Sequence, residues 1–245
     1  MAKALKEIWN VDGLEIPVYI YKERRYNNRI SITQKGVNLR IPKMGAKIMD
    51  QSYRSWAMEW LKKQVVERPD IIQRFRVTDY INGHTVHTPF KDYVLELKLS
   101  ERSTSAGKLI GNVMHLNLNN EMPEAFSART IRTLMSRLIA KDQLARVTKR
   151  IHDINDHYFK QPIKNVKIKN NSSNWGSCSS SGNINISTKT LLAPADVQDY
   201  IFVHELSHRI EMNHSPEYWA IVERVMPSYK KHERWIKENG HLCEL

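Results

Sequence analysis

The hydrophobic pattern of the first half of the chain is that of short strands. Several runs alternate apolar and polar residues or are rich in β-branched and aromatic residues. One longer segment instead repeats apolar residues at helical spacing, with Ile48, Trp56 and Trp60 as its markers. The predicted elements are strands at 16–21, 30–33, 37–41, 85–87, 93–99 and 113–118, a helix at 47–67, and a polar loop or hairpin connection at 100–111.

The second half is predicted to be mainly helical. Apolar residues recur on one helical face up to Ile154, and Ser127 is a candidate N-cap for this long helix. After Pro162 two short strands are expected, and Pro194 then opens another helix. The predicted elements after the long helix are strands at 166–168 and 183–187, a polar loop at 170–182 between them, and helices at 194–213, 216–225 and 228–238.

This order of elements predicts an α+β fold. The character of the sequence changes between residues 120 and 127, and we place a domain boundary there. The N-terminal part, 1–125, is predicted to be β-rich with one helix. The C-terminal part, 126–245, is predicted to contain a supporting helix, a small sheet and the C-terminal helices.

The electric charge of the chain is unevenly distributed. The 245 residues carry a formal net charge of +12 at pH 7. Residues 161–245 hold 10 Lys and Arg against 9 Asp and Glu, whereas residues 1–160 hold 28 against 17. A basic region attracts polyanions, so nucleic acid is one candidate partner. The solvated surface of a basic protein accounts for the same composition, and charge alone leaves both interpretations open.

Cysteine content and hydropathy indicate the compartment. Cys178 and Cys243 provide neither a zinc-type spacing nor a disulfide framework. The first residues lack the apolar run of a signal peptide, and no stretch approaches the roughly 18 apolar residues of a membrane span. We therefore expect a cytoplasmic protein with no membrane partner.

The residues with the clearest chemical meaning are His204, Glu205 and His208, which form an HExxH motif. Histidines four positions apart on a helix share one face and can bind one zinc ion at roughly 2.0–2.1 Å each. Glu205 points about 100° away round the helix, so it can act as general base on a water at the metal. The apolar helix that carries the motif, with Ile201 and Val203, favours a metal site over a chance match.

His214 is the candidate third ligand, because a catalytic zinc usually has three protein ligands and one open position. It lies six residues after His208. We expect the helix to end at Asn213 in a left-handed residue, so that the chain turns and brings His214 back to the ion. Ser215 and Pro216 would then cap and open the next helix. The other histidines lack such spacing and are not predicted to be ligands.

Hydrolysis at such a site also needs groups that contact the substrate. A donor near the developing oxyanion would help, and Tyr218, Tyr229 and His232 are candidates. The run Trp175–Cys178 could shape the substrate edge or brace the active helix, and we favour the brace because Trp and Gly are usually packing and turn residues. Cys178 as a fourth ligand would close the site. Trp175, Tyr218 and Tyr229 remain possible substrate or transition-state contacts.

Several runs in the C-terminal part resemble the YgjP-like metallopeptidase family, which is related to the SprT-like and WLM peptidases. These runs are Asn174–Cys178, Gly182–Asn185, Leu192–Pro194, Val203–His208, Met212–Trp219 and Val225–Tyr229. The resemblance implies a zincin-like catalytic domain over 126–245, Zn²⁺ on His204, His208 and His214, and a catalytic Glu205. Many relatives have Arg where this chain has Asn174.

The sequence leaves several functions open. The leading hypothesis is a zinc-dependent metallopeptidase that hydrolyses peptide bonds with a zinc-bound water activated by Glu205. Because SprT-like relatives act on proteins attached to DNA, a nucleic-acid-associated protease is an extension of it. The alternative is a nucleic-acid-binding or interaction protein with a structural zinc site, in which a protein side chain fills the fourth position. Hydrolysis of a non-peptide amide is a third possibility.

Overall fold

The protein is an α+β molecule, as predicted. The computed structural model describes residues 4–12, 14–33, 36–43, 50–67, 80–122, 124–171 and 174–245. The first three residues of the helix predicted at 47–67 lie outside these ranges. The chain forms two compact units, Met1–Thr78 and Asp79–Leu245.

The division between the units lies well before the predicted boundary at 125/126. The strands that follow residue 80 share one hydrophobic core with the long helix after them: Leu95 and Met114 from the strands belong to the same buried cluster as Met135 from the helix. The change in sequence character near residue 125 therefore marks a change of secondary structure within one core.

The described part of the first unit consists of a four-stranded sheet and one helix. Its elements are β1 (Leu5–Val11), β2 (Leu14–Glu23), β3 (Arg29–Thr33), β4 (Gly36–Pro42) and α1 (Asp50–Glu67). The strand order is β1-β2-β4-β3, with β2 and β4 parallel and the other pairs antiparallel. Val18 and Leu39 are fully buried in one cluster with Ala57 and Leu61, so α1 covers one face of the sheet.

The second unit begins with a four-stranded sheet and a long helix. Its strands are β5 (Thr85–His87), β6 (Asp92–Ser100), β7 (Ala106–Ile110) and β8 (Val113–Asn119), in the order β5-β6-β8-β7. The helix α2 (Glu124–Ile154) contributes its apolar stripe to the core beneath this sheet. Because α2 starts at Glu124, Ser127 lies within its first turn and is not the N-cap.

β7 lies inside the segment 100–111, which the sequence predicts to be a loop or hairpin connection. Ala106 pairs with Asn117 of β8 in antiparallel register. A Cβ on Gly107 would lie 3.3 Å from Leu138 of α2 and closer still to Leu116, so the strand packs tightly. β7 was not recognised from the sequence because its packing depends on this glycine rather than on alternating apolar side chains.

A three-stranded sheet follows the long helix. Its strands are β9 (Asn165–Lys169), β10 (Gly176–Cys178) and β11 (Asn183–Ser187), in the order β10-β11-β9. β9 and β11 confirm the two predicted strands. β10 falls in the segment 170–182 that was predicted to be a loop, because three residues are too few to show a period. It is an edge strand, held by antiparallel pairing of Ser177 with Asn185.

The C-terminal helices are α3 (Ala195–Ser207), α4 (Pro216–Val225) and α5 (Tyr229–Asn239). The predicted start of α4 is confirmed: Ser215 is the N-cap, its side chain accepts the N–H of Tyr218, and Pro216 occupies the first turn. None of the helices in the described residues is long and apolar enough to cross a membrane.

The end of α3 differs from the prediction. The helix ends at Ser207 rather than near Asn213, and among the described residues Asn213 does not have a positive φ. The chain leaves the helix through a turn, in which the N–H of Arg209 donates to the carbonyl of Leu206. The expected left-handed residue is therefore wrong, although the chain does reverse before His214.

Candidate metal centre and cleft

α3 holds the HExxH residues rigidly, because most of its surface is buried. Val197, Ile201 and Val203 are each at most 2% exposed. The rings of His204 and His208 lie one turn apart, with centroids 5.2 Å apart. The helical spacing therefore brings these two imidazoles to one place, as the sequence predicts.

His214 returns to the other two histidines from the turn after α3. Its Nε2 lies 3.2 Å from Nε2 of His204, and the potential ligand atoms of His204, His208 and His214 all lie within 4.8 Å of one another. Two nitrogens bound to one tetrahedral zinc at roughly 2.0–2.1 Å would be about 3.4 Å apart. The separation between the nitrogens of His204 and His214 therefore fits a shared ion of this size.

Hydrogen bonding around His208 leaves its Nε2 available to a metal. Its Nδ1 lies 3.2 Å from the carbonyl oxygen of Glu211. Because a carbonyl only accepts, Nδ1 carries the proton and donates. Metal-ligating histidines usually make such a contact through their other ring nitrogen. The turn after α3 thus orients His208 and also brings back His214.

Burial favours the neutral form of His204 and His208, which a metal requires. Burial, and then the neighbouring His208 and His214, lower the pKa of His204 to about 3. Burial also lowers the pKa of His208. Since a protonated imidazole has no free lone pair, these shifts favour metal binding at neutral pH.

Glu205 lies beside the three histidines in a space that Gly176 provides. Glu205 is 4% exposed, and a Cβ on Gly176 would overlap its carboxylate oxygen Oε1. Burial raises the pKa of Glu205 to about 8, and a divalent cation nearby would lower it again. The carboxylate therefore contacts the edge strand β10 and can exchange a proton near neutral pH.

Tyr218 packs against the histidines rather than facing a substrate. It is fully buried, its hydroxyl donates to the backbone carbonyl of His204 at 2.9 Å, and its ring stacks on His208 with centroids 4.6 Å apart. Burial also raises its pKa, so the hydroxyl keeps its proton. The centroid of its ring also lies 4.8 Å from that of His214, so Tyr218 supports all three histidines.

Tyr229 and His232, the other predicted donors, lie outside the cleft as well. Tyr229 stacks on Trp219 with centroids 5.3 Å apart. His232 is buried, lies 3.6 Å from a carboxylate oxygen of Asp196, and stacks on Tyr200. Neither belongs to the described residues that line the cleft.

Trp175 both braces the site and lines the cleft. Its carbonyl oxygen accepts the N–H of Ser187 and the hydroxyl of Thr190, each at 2.8 Å. The ammonium of Lys189 lies 4.6 Å from the centre of the indole ring. The backbone of Trp175 thus supports the sheet, while its side chain contributes to the wall.

Cys178 lines the cleft without joining the metal cluster. Among the described residues, the group of potential ligands consists of the three histidines alone. Burial raises the pKa of the Cys178 thiol, which disfavours the thiolate that zinc binds. This arrangement argues against Cys178 as a fourth ligand.

The histidines open into a cleft of about 610 Å³. Its wall comes from residues 174–178, from α3 and the turn that follows it, and from α5. Tyr200 belongs to this wall and was missed by the sequence analysis. Its position could have been found, because Tyr200 precedes His204 by the same four residues that separate His204 from His208.

Three comparisons with known proteins bear on this site. The family model described as the YgjP-like metallopeptidase domain matches residues 26–239. A solved structure, the metallopeptidase zymogen of Pyrococcus abyssi abylysin, is 24% identical with a TM-score of 0.35, and the match covers 38% of this chain and 94% of that chain. No curated protein matches the chain significantly.

Proposed function

The chain belongs to the YgjP-like metallopeptidase family, and we propose that it is a zinc-dependent peptidase whose metal is held by His204, His208 and His214. The observation that carries this proposal is the convergence of three imidazoles whose potential ligand atoms lie within 4.8 Å of one another. Three nitrogens and an open position form the ligand set of a catalytic zinc.

The protein's own groups would divide the work of peptide hydrolysis. When bound, zinc supplies Lewis acidity that polarises the peptide carbonyl and acidifies water. Glu205 accepts the proton of the attacking water on its carboxylate and delivers it to the leaving nitrogen. Tyr218 keeps His204 and His208 in place at the cleft, where they would hold the ion.

β10 is suited to hold the peptide. It pairs with β11 on one side only and is an edge of its sheet. An extended peptide can add to such an edge through main-chain hydrogen bonds. Because Gly176 of β10 lies against Glu205, a peptide on this edge would pass beside the general base.

Glu205→Gln tests the proposal against a structural zinc. We expect the variant to retain one zinc per chain and to lose hydrolysis of a denatured protein by about 10²-fold or more, because a neutral amide cannot take the proton. Zinc content and peptide release are measured on wild type and variant in parallel. Full hydrolysis by the variant, or a fourth protein ligand in zinc absorption spectra, would contradict the proposal.

A second proposal concerns a nucleic-acid partner and rests on the first unit. Met1–Thr78 holds 16 Lys and Arg against 8 Asp and Glu. Strand register places a set of polar and aromatic residues on the face of the sheet that is opposite α1. We call this set the outer sheet face; it comprises Lys6, Tyr19, Tyr21, Arg29, Asn38 and Arg40.

The contacts within the outer sheet face fit single-stranded nucleic acid. The guanidinium of Arg40 lies 5.1 Å from the ring centre of Tyr21, and Arg29 is opposite Arg40 in the neighbouring strand. Glu23 pairs with Arg40 at 2.6 Å and offsets part of this charge. Half-exposed tyrosines stack on unpaired bases, while Arg and Lys hold the phosphates.

Fluorescence anisotropy with a labelled single-stranded oligonucleotide tests this second proposal. We expect Tyr19→Ala and Tyr21→Ala together to weaken binding by about 30-fold or more, because each base–aromatic stack contributes about 1–3 kcal/mol. Lys62→Ala is the matched control, since Lys62 is exposed on α1. Absence of binding by wild type at low salt would rule the proposal out.

A further inference from the structure

The wall of the cleft includes an acidic group that the proposed chemistry does not use. α5 contributes Glu233 and Ile236 to the cleft lining, and α3 contributes Tyr200 and Ile201. Glu233 lies on α5, whereas the HExxH residues lie on α3. The proposed hydrolysis assigns no role to its carboxylate.

The charge of the cleft is opposite to that of the chain. The whole chain carries +12, yet the described lining residues include two carboxylates, Glu205 and Glu233, and no Lys or Arg. Glu205 is buried at the metal site, which leaves Glu233 as the acidic group that an incoming side chain would meet.

Glu233 is accessible for a substrate. It is exposed, and no ion pair joins it to the part of the chain that the structure describes. Lys230 and Lys237 lie one turn away on the same helix, and the ammonium of Lys230 is directed toward the ring of Tyr229, 5.9 Å from its centre. Glu233 and Tyr200 both line the cleft, Glu233 from α5 and Tyr200 from α3.

We infer that Glu233 is a specificity-determining residue, which selects substrates with a Lys or Arg side chain close to the scissile bond. The inference rests on the proposed peptidase function. The aliphatic stem of such a side chain would pack along Ile201, Tyr200 and Ile236, while its cationic head reaches the carboxylate. The net charge cannot produce this preference, because a chain of +12 repels cationic peptides at long range.

Cleavage-site profiling tests the inference. Wild type, Glu233→Gln, Glu233→Lys and Glu238→Gln are each incubated with the same denatured protein mixture, and the cleaved bonds are mapped by mass spectrometry. We expect Lys and Arg to be enriched at one position beside the bond in wild type. Glu233→Gln should reduce that enrichment by about 2–5-fold, the range of a solvent-exposed ion pair. Glu233→Lys should turn it into a preference for Asp and Glu.

Glu238→Gln is the matched control, because it removes the same charge from an exposed position of the same helix outside the cleft lining. It should keep the wild-type profile. Cleavage by wild type without enrichment of Lys or Arg, or a profile that Glu233→Gln leaves unchanged, would overturn the inference while the peptidase function stands.

A binding measurement separates the inference from the peptidase function. The affinity of Glu205→Gln for two peptides that differ only by Lys or Gln is compared with that of the Glu205→Gln, Glu233→Gln double variant. Tighter binding of the Lys peptide by the first variant alone supports the inference even if turnover is absent. Equal affinities in both variants overturn it.

Discussion

The cleft around the three histidines and the outer sheet face differ in how strongly their proposed functions depend on exact interatomic distances. In the cleft, three ring nitrogens lie within 4.8 Å of one another, and the carboxylate of Glu205 fits a space left by a glycine. On the outer sheet face, tyrosines and basic residues are spread over four strands, and the function proposed for them depends on charge and ring surface rather than on one distance. Peptide hydrolysis in the cleft should therefore be sensitive to the displacement of single atoms. Oligonucleotide binding by the outer sheet face should depend on the number of its charges.

Removal of the metal should have the largest effect. It should abolish the activity of the cleft and leave oligonucleotide binding by the outer sheet face intact. We expect a chelator, or His214→Ala, to abolish peptide hydrolysis, because two histidines alone leave the zinc with an incomplete ligand set. Oligonucleotide binding should stay within twofold of wild type. Zinc analysis, peptide release and anisotropy on one preparation check this, and a parallel loss of oligonucleotide binding would show that the regions depend on each other.

Gly176→Ala should damage the cleft by a single methyl group. The added carbon would overlap Oε1 of Glu205, so the carboxylate must move, and a displacement of about 1 Å can cost about 10²-fold in rate. We expect kcat to fall by that order with zinc content unchanged. Ser181→Ala, in the turn of the same hairpin, is the control and should retain the wild-type kcat. A normal kcat in Gly176→Ala would mean that Glu205 does not need its observed position.

The difference between the two regions also explains what could be predicted from sequence. His204 and His208 are fixed by local helical spacing, so a motif is enough to find them. His214 was found through the expected ligand number, but the turn that returns it was predicted incorrectly. The guanidinium of Arg209 in this turn donates to the carbonyls of Ser179 and Ser180, about thirty residues earlier, and such contacts depend on the folded chain. Tyr218 was predicted as a possible substrate contact, and its sequence position does not reveal that its side chain is buried and that its hydroxyl donates to the backbone of α3.

The fold shows the same limit. Strands with apolar alternation, such as β2 and β11, were predicted, whereas β1, β7 and β10 were not. All three missed strands lie at sheet edges, and each pairs with the next strand along the chain. For β10 the consequence is functional, because this strand forms the wall beside Glu205.

Tyr218→Phe should have a moderate effect confined to the cleft. The change removes the hydroxyl that donates to the carbonyl of His204 and keeps the ring that stacks on His208. We expect the free energy of unfolding to fall by about 0.5–1.5 kcal/mol and zinc affinity to fall by about tenfold, the lower end for a group that orients a ligand. Urea unfolding and competition with a zinc chelator measure the two effects. Tyr158→Phe, at an exposed tyrosine, should change neither.

The smallest effect should come from one charge on the outer sheet face, and it tests whether that face works by charge number. Arg29→Ala removes an exposed guanidinium that lies opposite Arg40. If Arg29 neutralises one phosphate, the slope of log affinity against log salt should become shallower by about 0.7 for a single strand. Peptide hydrolysis should be unchanged, because Arg29 belongs to the first unit and the metal centre to the second. An unchanged slope would remove Arg29 from the binding face. A sequence-dependent loss of affinity would show that it reads bases, since a phosphate contact weakens all sequences alike.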